Sequence, residues 1–319
     1  MLKLRFVPDE TSFRFIPLRK ITFPLSAVLC VVSLGLFFSL GLNTGIDFRG
    51  GTLIEVRTTD GPANISDFRA TLGTLNLGDV QIQEFGAETD VLIRIERQPG
   101  DDEAQQAALT NVQDALGQNI EYRRVEVVGP RISGELAQSG AIAVIAAIFA
   151  VLVYVWFRFE WQFAIGAVVA LVHDVILTIG FFSLTRLEFN LASIAAILTI
   201  VGYSLNDTVV VYDRIREKLR KYKRMPTEEL LDFAINKTLS RTVMTSVTTL
   251  LALFALFFLG GEVVRGFTAA MIWGVVIGTY SSIFIAAPVL LALKLKREAV
   301  GAAVKKGEGG GPEADAASS

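Results

Sequence analysis

The chain is poor in the groups from which most enzymes and metal centres are built. Its 319 residues include one cysteine, Cys30, and one histidine, His173. A single thiol excludes an intramolecular disulfide and any multi-thiolate metal or iron–sulfur site. A single imidazole excludes the usual multi-histidine zinc and haem sets. Charge is scarce too: 19% of residues are charged, against roughly a quarter in soluble domains. The net charge of −2 carries no domain-wide basic excess, so nucleic acid is not an expected partner. There is no P-loop, no GxGxxG dinucleotide loop and no nucleophile elbow. Neither an enzyme nor a cofactor is expected.

Apolar residues are abundant instead, at 52%, with a mean hydropathy of +0.49. A helix needs about 20 apolar residues to cross about 30 Å of hydrocarbon. Six runs qualify: 22–42, 136–157, 163–184, 190–211, 243–261 and 266–293. The basic stretch before the first run is long and no small-x-small site follows it, so 22–42 reads as an uncleaved anchor. Cations cluster in 1–20, in 212–242 and after 293, whereas 43–135 has no lysine and sets eight arginines against sixteen acids. That bias puts both termini in the cytoplasm and 43–135 outside. The expected divisions are a cytoplasmic segment 1–21, the first span 22–42, an outer domain 43–135, a five-span domain 136–293 with a cytoplasmic loop 212–242, and a disordered tail 294–319.

The outer domain reads as strand, helix, strand, strand, helix, strand. Thr52–Thr58 alternates apolar and polar residues, as a half-buried strand does. Ser66 is a candidate cap for a helix that places Phe68, Leu72 and Leu75 on one face. Val80–Phe85 and Val91–Arg97 read as strands joined by 86–90, a helix follows over about 101–116, and Tyr122–Val128 closes the set. The βαββαβ order predicts a small α+β, ferredoxin-like domain set between helices 1 and 2 of a six-helix membrane protein.

Polar residues inside the apolar runs need a reason, since an ionisable group at mid-bilayer costs about 2.5–3.5 kcal/mol on insertion scales. His173 and Asp174 fall near the middle of the third run, either as a satisfied buried pair or as a proton carrier. Asp207 lies in the fourth, beside Asn206 and with Tyr203 and Ser204 one turn behind it, able to hydrogen-bond either protonation state. Burial in a low dielectric disfavours an anion, which suits a proton carrier. Arg241, Thr245, Thr248 and Thr249 share one helical face, either lining a wetted path or packing helices, and Arg241 could equally snorkel to the headgroups. Outside the first run, Gly45, Asp47, Gly50 and Gly51 read as a hinge between span and domain, and Gly129-Pro130 as its counterpart on the return.

The motifs GIDFRGG (45–51), VGPRISGEL (128–136), HDVILTIG (173–180), VGYSLNDTVVVYDRIRE (201–217) and RTVMTSVTTL (241–250) together resemble the signatures of the SecF family. Its members are membrane subunits that act with SecD beside the bacterial Sec translocon and belong to the resistance–nodulation–division superfamily. The resemblance runs from the first span to the sixth. It implies a half-transporter completed by a SecD-like partner, working with SecYEG, SecA and YidC/YajC in the inner membrane. It also implies use of the proton-motive force to move preproteins after the ATP-driven step. Asp207 and Arg241 match the family's proton-pathway residues, with His173 and Asp174 in support and Gly50, Gly51 and Gly129 as joints. Two alternatives stay open: a proton-coupled exporter of small molecules or lipids from the same superfamily, and a scaffold that moves no protons.

Overall fold

The computed structural model describes residues 11–100, 102–117, 119–293 and 295. The first ten residues and nearly all of the expected tail 294–319 lie outside the described residues. In chain order the elements are α1 (Arg19–Leu40), α2 (Ile46–Arg49), β1 (Gly51–Thr58), α3 (Ile65–Gly73), β2 (Val80–Phe85), β3 (Ala87–Ile95), α4 (Asp102–Leu116) and β4 (Ile120–Val128). Then follow α5 (Pro130–Arg158), α6 (Trp161–Thr185), α7 (Leu191–Lys221), α8 (Thr227–Leu259), α9 (Glu262–Ser281), a π-helical turn Ser282–Ala286 and α10 (Ala287–Ala292).

The four strands form one antiparallel sheet in the order β2-β3-β1-β4, the arrangement expected of a ferredoxin-like βαββαβ unit. The period of two is visible in the packing. Ile54, Val56, Ile93 and Ile95 point to one face and are buried against Phe68 and Leu72 of α3 and Leu109 and Val112 of α4. Leu53 and Leu92 point to the other and meet Ile46. Two local readings are corrected. Asn64, not Ser66, caps α3: its side chain accepts from the Ser66 amide at 3.1 Å. And 86–90 is not a loop, because Gly86, at φ 84°, turns the chain at once and lets β3 begin at Ala87.

Among the described residues six helices are long and apolar enough to cross a membrane: Ile16–Leu40, Arg131–Arg158, Trp161–Thr185, Leu191–Lys221, Thr227–Leu259 and Val263–Ala292. The first, second and fifth turn most of their apolar surface outward, with Phe38, Phe157 and Leu259 each more than 80% exposed. In water such faces would drive aggregation, whereas in hydrocarbon they cost nothing. Between helices the contacts rely on small residues, which let backbones approach. A Cβ placed on Gly180 of α6 would lie 2.9 Å from the Ser33 Cα of α1, and one on Gly274 of α9 would collide with Ile200 of α7.

The segment 212–242 is helical rather than a loop. α7 runs on to Lys221, α8 begins at Thr227, and only residues 222–226 connect them. These extensions are amphipathic: Val211, Tyr212, Ile215 and Leu219 pack with Leu230, Leu231, Ala234 and Ile235 in one buried cluster. The approach to α1 is strapped onto the same base. Asp232 accepts from the amides of Phe15 (2.9 Å) and Ile16 (2.8 Å), and Asn236 bonds both the amide and the carbonyl of Phe13.

Candidate functional site in the membrane interior

Four helices meet around two buried carboxylates. Asp174 of α6 is fully buried and Asp207 of α7 is 7% exposed. Asp174 Oδ2 accepts from Ser204 of α7 at 2.6 Å and from Ser281 at the end of α9 at 2.7 Å. Its Oδ1 lies 2.9 Å from His173 Nδ1. Asp207 Oδ1 accepts from Thr242 of α8 at 2.6 Å, and its Oδ2 from Ser282 at 2.5 Å. Ser281 and Ser282 are adjacent in sequence and serve different acids. They fall where α9 passes into the π-helical turn, whose wider winding redirects side chains relative to an α-helix.

His173 stacks on Tyr280, with ring centroids 6.0 Å apart, and its Nε2 is buried without a partner among the described residues. The Tyr280 hydroxyl in turn lies 2.9 Å from Ser26 of α1. A second chain of hydroxyls runs alongside: Tyr203 donates to Ser246 at 3.2 Å, and Ser246 lies 2.7 Å from Thr279. Every side-chain oxygen that bonds the two acids is a hydroxyl, which can donate to a carboxylate and accept from a carboxylic acid. Among the described residues no cluster of three or more His, Cys, Asp or Glu is arranged to hold a metal.

Several sequence expectations move by one helical position. The Thr245 and Thr248 face of α8 is exposed, and both hydroxyls bond carbonyls of their own helix. The inward face carries Thr242 and Ser246, about 100° round the helix. Arg241 is exposed in a recess shared with Asp213, Glu217 and Lys237 and makes no ion pair with Asp207. Thr242 takes that place. Asn206 is also exposed, and Ser204 serves Asp174 rather than Asp207, because side chains three apart on α7 reach different neighbours. Thr242 and Ser246 stand in the same polar run as Arg241 but off the face expected there, whereas sequence reading missed Thr279, Ser281 and Ser282. The available signal was the polar run Thr279–Ser282 in the otherwise apolar sixth segment.

The outer hinge residues form a docked elbow. Gly45 donates to the Phe189 carbonyl at 2.9 Å, and Phe189 to Asn43 at 2.8 Å. Asp47 accepts the Leu191 amide, the first of α7, at 2.8 Å. Gly50 and Gly51 have φ of 75° and 122°, a region only glycine enters without strain. Gly51 is moreover paired with Val128 in the sheet. Gly129 caps α5 in an extended conformation, with Pro130 at the first helical position.

Comparison with known proteins gives consistent results. The family model for the C-terminal region of the protein export membrane proteins SecD/SecF matches residues 108–296, and that for the SecD/SecF GG motif matches residues 35–61. The chain is 44% identical over 299 residues to the protein translocase subunit SecF of Rickettsia bellii, covering 92% of this chain and 97% of that protein. It is 43% identical to the protein translocase subunit SecDF of Brucella abortus over 92% of its own length but 39% of that protein's. The crystal structure of SecDF from Thermus thermophilus, a translocon-associated membrane protein, superposes with a TM-score of 0.79 at 36% identity, over 91% of this chain and 40% of that one. A SecDF structure in a super-membrane-facing form gives 0.67, also at 36% identity. The chain therefore spans about two fifths of the SecDF proteins it matches.

Proposed function

The chain belongs to the SecD/SecF family of protein export membrane proteins, and we propose that within Sec-dependent translocation it draws on the proton-motive force. The observation that carries this reading is Asp207, an acid 16 residues into a membrane-spanning helix and bonded, among the described residues, by hydroxyls from two other helices. At 1.5 Å per residue it lies about 24 Å from the outer end of α7, within hydrocarbon. The membrane potential supplies about 2.3 kcal/mol per charge per 100 mV. Asp207 takes up and releases the proton. Asp174 with His173 is the second station, and Ser281 and Ser282 bridge the two. Arg241, one residue from Thr242 at the cytoplasmic side, is the group that opposes or admits charge at the mouth of this path.

The orientation belongs to the same reading. Both termini are cytoplasmic and 43–135 is periplasmic in a bacterial inner membrane, supported by the cation bias of the loops. A SecD-like chain completes the assembly, supported by relatives in which a matching segment occupies two fifths of a longer SecDF protein. The SecYEG translocon, SecA, YidC/YajC and the preprotein are the further partners that a Sec role entails, with lipid against the exposed faces of α1, α5 and α8.

The test uses membrane vesicles holding a preprotein arrested part-way, with ATP removed and a proton gradient imposed. Asp207→Asn keeps size and removes titration. Completion is expected to fall to the level seen without a gradient. Completion equal to that of the native chain at equal abundance would make Asp207 a packing residue and this a scaffold.

A further inference from the structure

The outer domain hangs from the membrane part by two covalent tethers, one ending at Gly51 and one leaving from Val128. These two residues are paired in the sheet, so both tethers enter at one corner. A body held at one corner is free to swing. Here it is held elsewhere as well, by the turn between α6 and α7. Arg94 of β3, two strands from the β4 tether, forms an ion pair with Glu188 of that turn. Neither side chain is fully solvated, at 18% and 24% exposure, so removing one partner leaves the other charge partly buried and uncompensated. Nearer the tether, Asp47 accepts the Leu191 amide, and Asn43, Gly45 and Phe189 exchange backbone bonds. Arg186 closes the other side, its guanidinium donating to the carbonyls of Leu40 and Gly41 at 2.9 and 3.0 Å.

Every one of these contacts falls on the same few residues, and those residues lead directly into α7. That helix is continuous from Leu191 to Lys221 and carries Asp207 near its middle. Asn190 and Ser193 form a capping box at its start, so the Asp47 bond is made to an already ordered turn. A carboxylate at a helix N-terminus also gains from the helix dipole, which resists its release. Axial or rotational movement of α7 therefore reaches Asp47 and the outer corner without an intervening flexible joint. Arg94–Glu188 converts the same movement into a tilt of the sheet.

We propose that Asp47 and the Arg94–Glu188 pair are coupling residues, a two-point latch by which α7 passes the state of Asp207 to the outer domain. The inference rests on the proton-driven reading above. Asp47 sets the tether and Arg94–Glu188 sets the angle. Neither touches the proton or the moving chain.

The experiment uses the full chain with its SecD-like partner in vesicles. Arg94→Glu and Glu188→Arg are made singly and together, beside Asp207→Asn. Each single reversal is expected to lower proton-driven completion at least fivefold, and the double reversal to recover at least half of it. Arg94→Gln replaces any reversal that does not accumulate, with the same expected loss. Separately, spin labels at Thr74→Cys on the outer domain and Leu259→Cys at the end of α8 are introduced in a Cys30→Ser background. Asp207→Asn is expected to shift their distance distribution when the latch is intact and to leave it unchanged when Arg94 is Gln.

If Asp207→Asn is itself silent in the vesicle assay, the proton-driven reading fails. If Asp207→Asn abolishes completion while all Arg94 and Glu188 variants complete normally, the latch alone is overturned. A label shift that persists in Arg94→Gln overturns it as well.

Discussion

In the outer domain Asp90 is met by a guanidinium, whereas in the membrane interior Asp207 is met by hydroxyls, and Asp174 by two hydroxyls and the His173 imidazole. Arg57 of β1 holds Asp90 of β3 through two bonds, at 2.6 and 2.8 Å. That partner fixes one charge state, and it holds the Asp90 carboxyl below the usual carboxylate range. Ser204, Ser281, Thr242 and Ser282 fix none, since each can turn to donate or accept. Near water, a permanent ion pair is affordable and orders a strand pair. In hydrocarbon, hydroxyls suit an acid whose charge must change, because no buried cation is stranded when the proton arrives.

The comparison breaks most decisively if the two kinds of acid respond alike. Asp207→Asn is expected to abolish proton-driven completion while leaving the thermal stability of the detergent-solubilised chain unchanged or raised, because a neutral amide replaces an acid with a desolvation cost. A drop in melting temperature alongside the functional loss would place Asp207 among structural residues.

Next in size is the packing of the outer domain. Ile93, fully buried between α3, α4 and the sheet, should cost about 2–5 kcal/mol as Ile93→Ala. Limited proteolysis of the full chain should then cut within 51–128 and spare the membrane helices. Cleavage spread evenly over both regions would mean that they do not unfold separately.

Ser282→Ala removes one of the two hydroxyls on Asp207, leaving Thr242. Losing a single bond to a buried carboxyl costs about 1–3 kcal/mol, hence a fall in completion rate of roughly 5- to 150-fold rather than abolition. Ser282→Thr restores the hydroxyl and should recover most of the rate. Failure of Thr to do so would point to packing at the π-helical turn.

The smallest expected effect is at the ion pair. A depressed carboxyl contributes stability above its unfolded value, near 3.8, and loses it as pH falls through the lower folded one. Asp90→Asn should therefore lower the melting temperature by a few degrees at pH 7, with the gap closing below about pH 4. Proton-driven completion should stay intact, and its loss would erase the distinction between the two regions.

Much of this was legible from periodicity alone. The alternation of Thr52–Thr58 marked β1 and the apolar run from Val91 marked β3, while the buried face of Ile54, Val56, Ile93 and Ile95 is set by packing against α3 and α4. Asp207 stood out because an acid is costly in an apolar run. The inward face of α8 was read one position off, at Thr245 and Thr248 instead of Thr242 and Ser246. A helix that bears hydroxyls on several faces has no amphipathic contrast to orient it. The elbow at Gly45–Gly51 read as a stiff hinge because glycine permits sharp turns and close approach, and a Cβ on Gly45 would meet the Glu188 side chain.

Local chemistry in the chain determined the apolar spans, the succession of strands and helices and the acids that had to find partners, since hydrophobic length, alternation and desolvation cost act on neighbours in sequence. Tertiary structure alone decided which hydroxyls those acids met. Ser282 lies 75 residues from Asp207 and Ser281 lies 107 from Asp174, and the spacing of one residue along a helix gives no hint of what stands across from it. The same holds for Arg94 and Glu188, 94 residues apart, which meet only because the sheet and the α6–α7 turn are brought to the same side of the membrane.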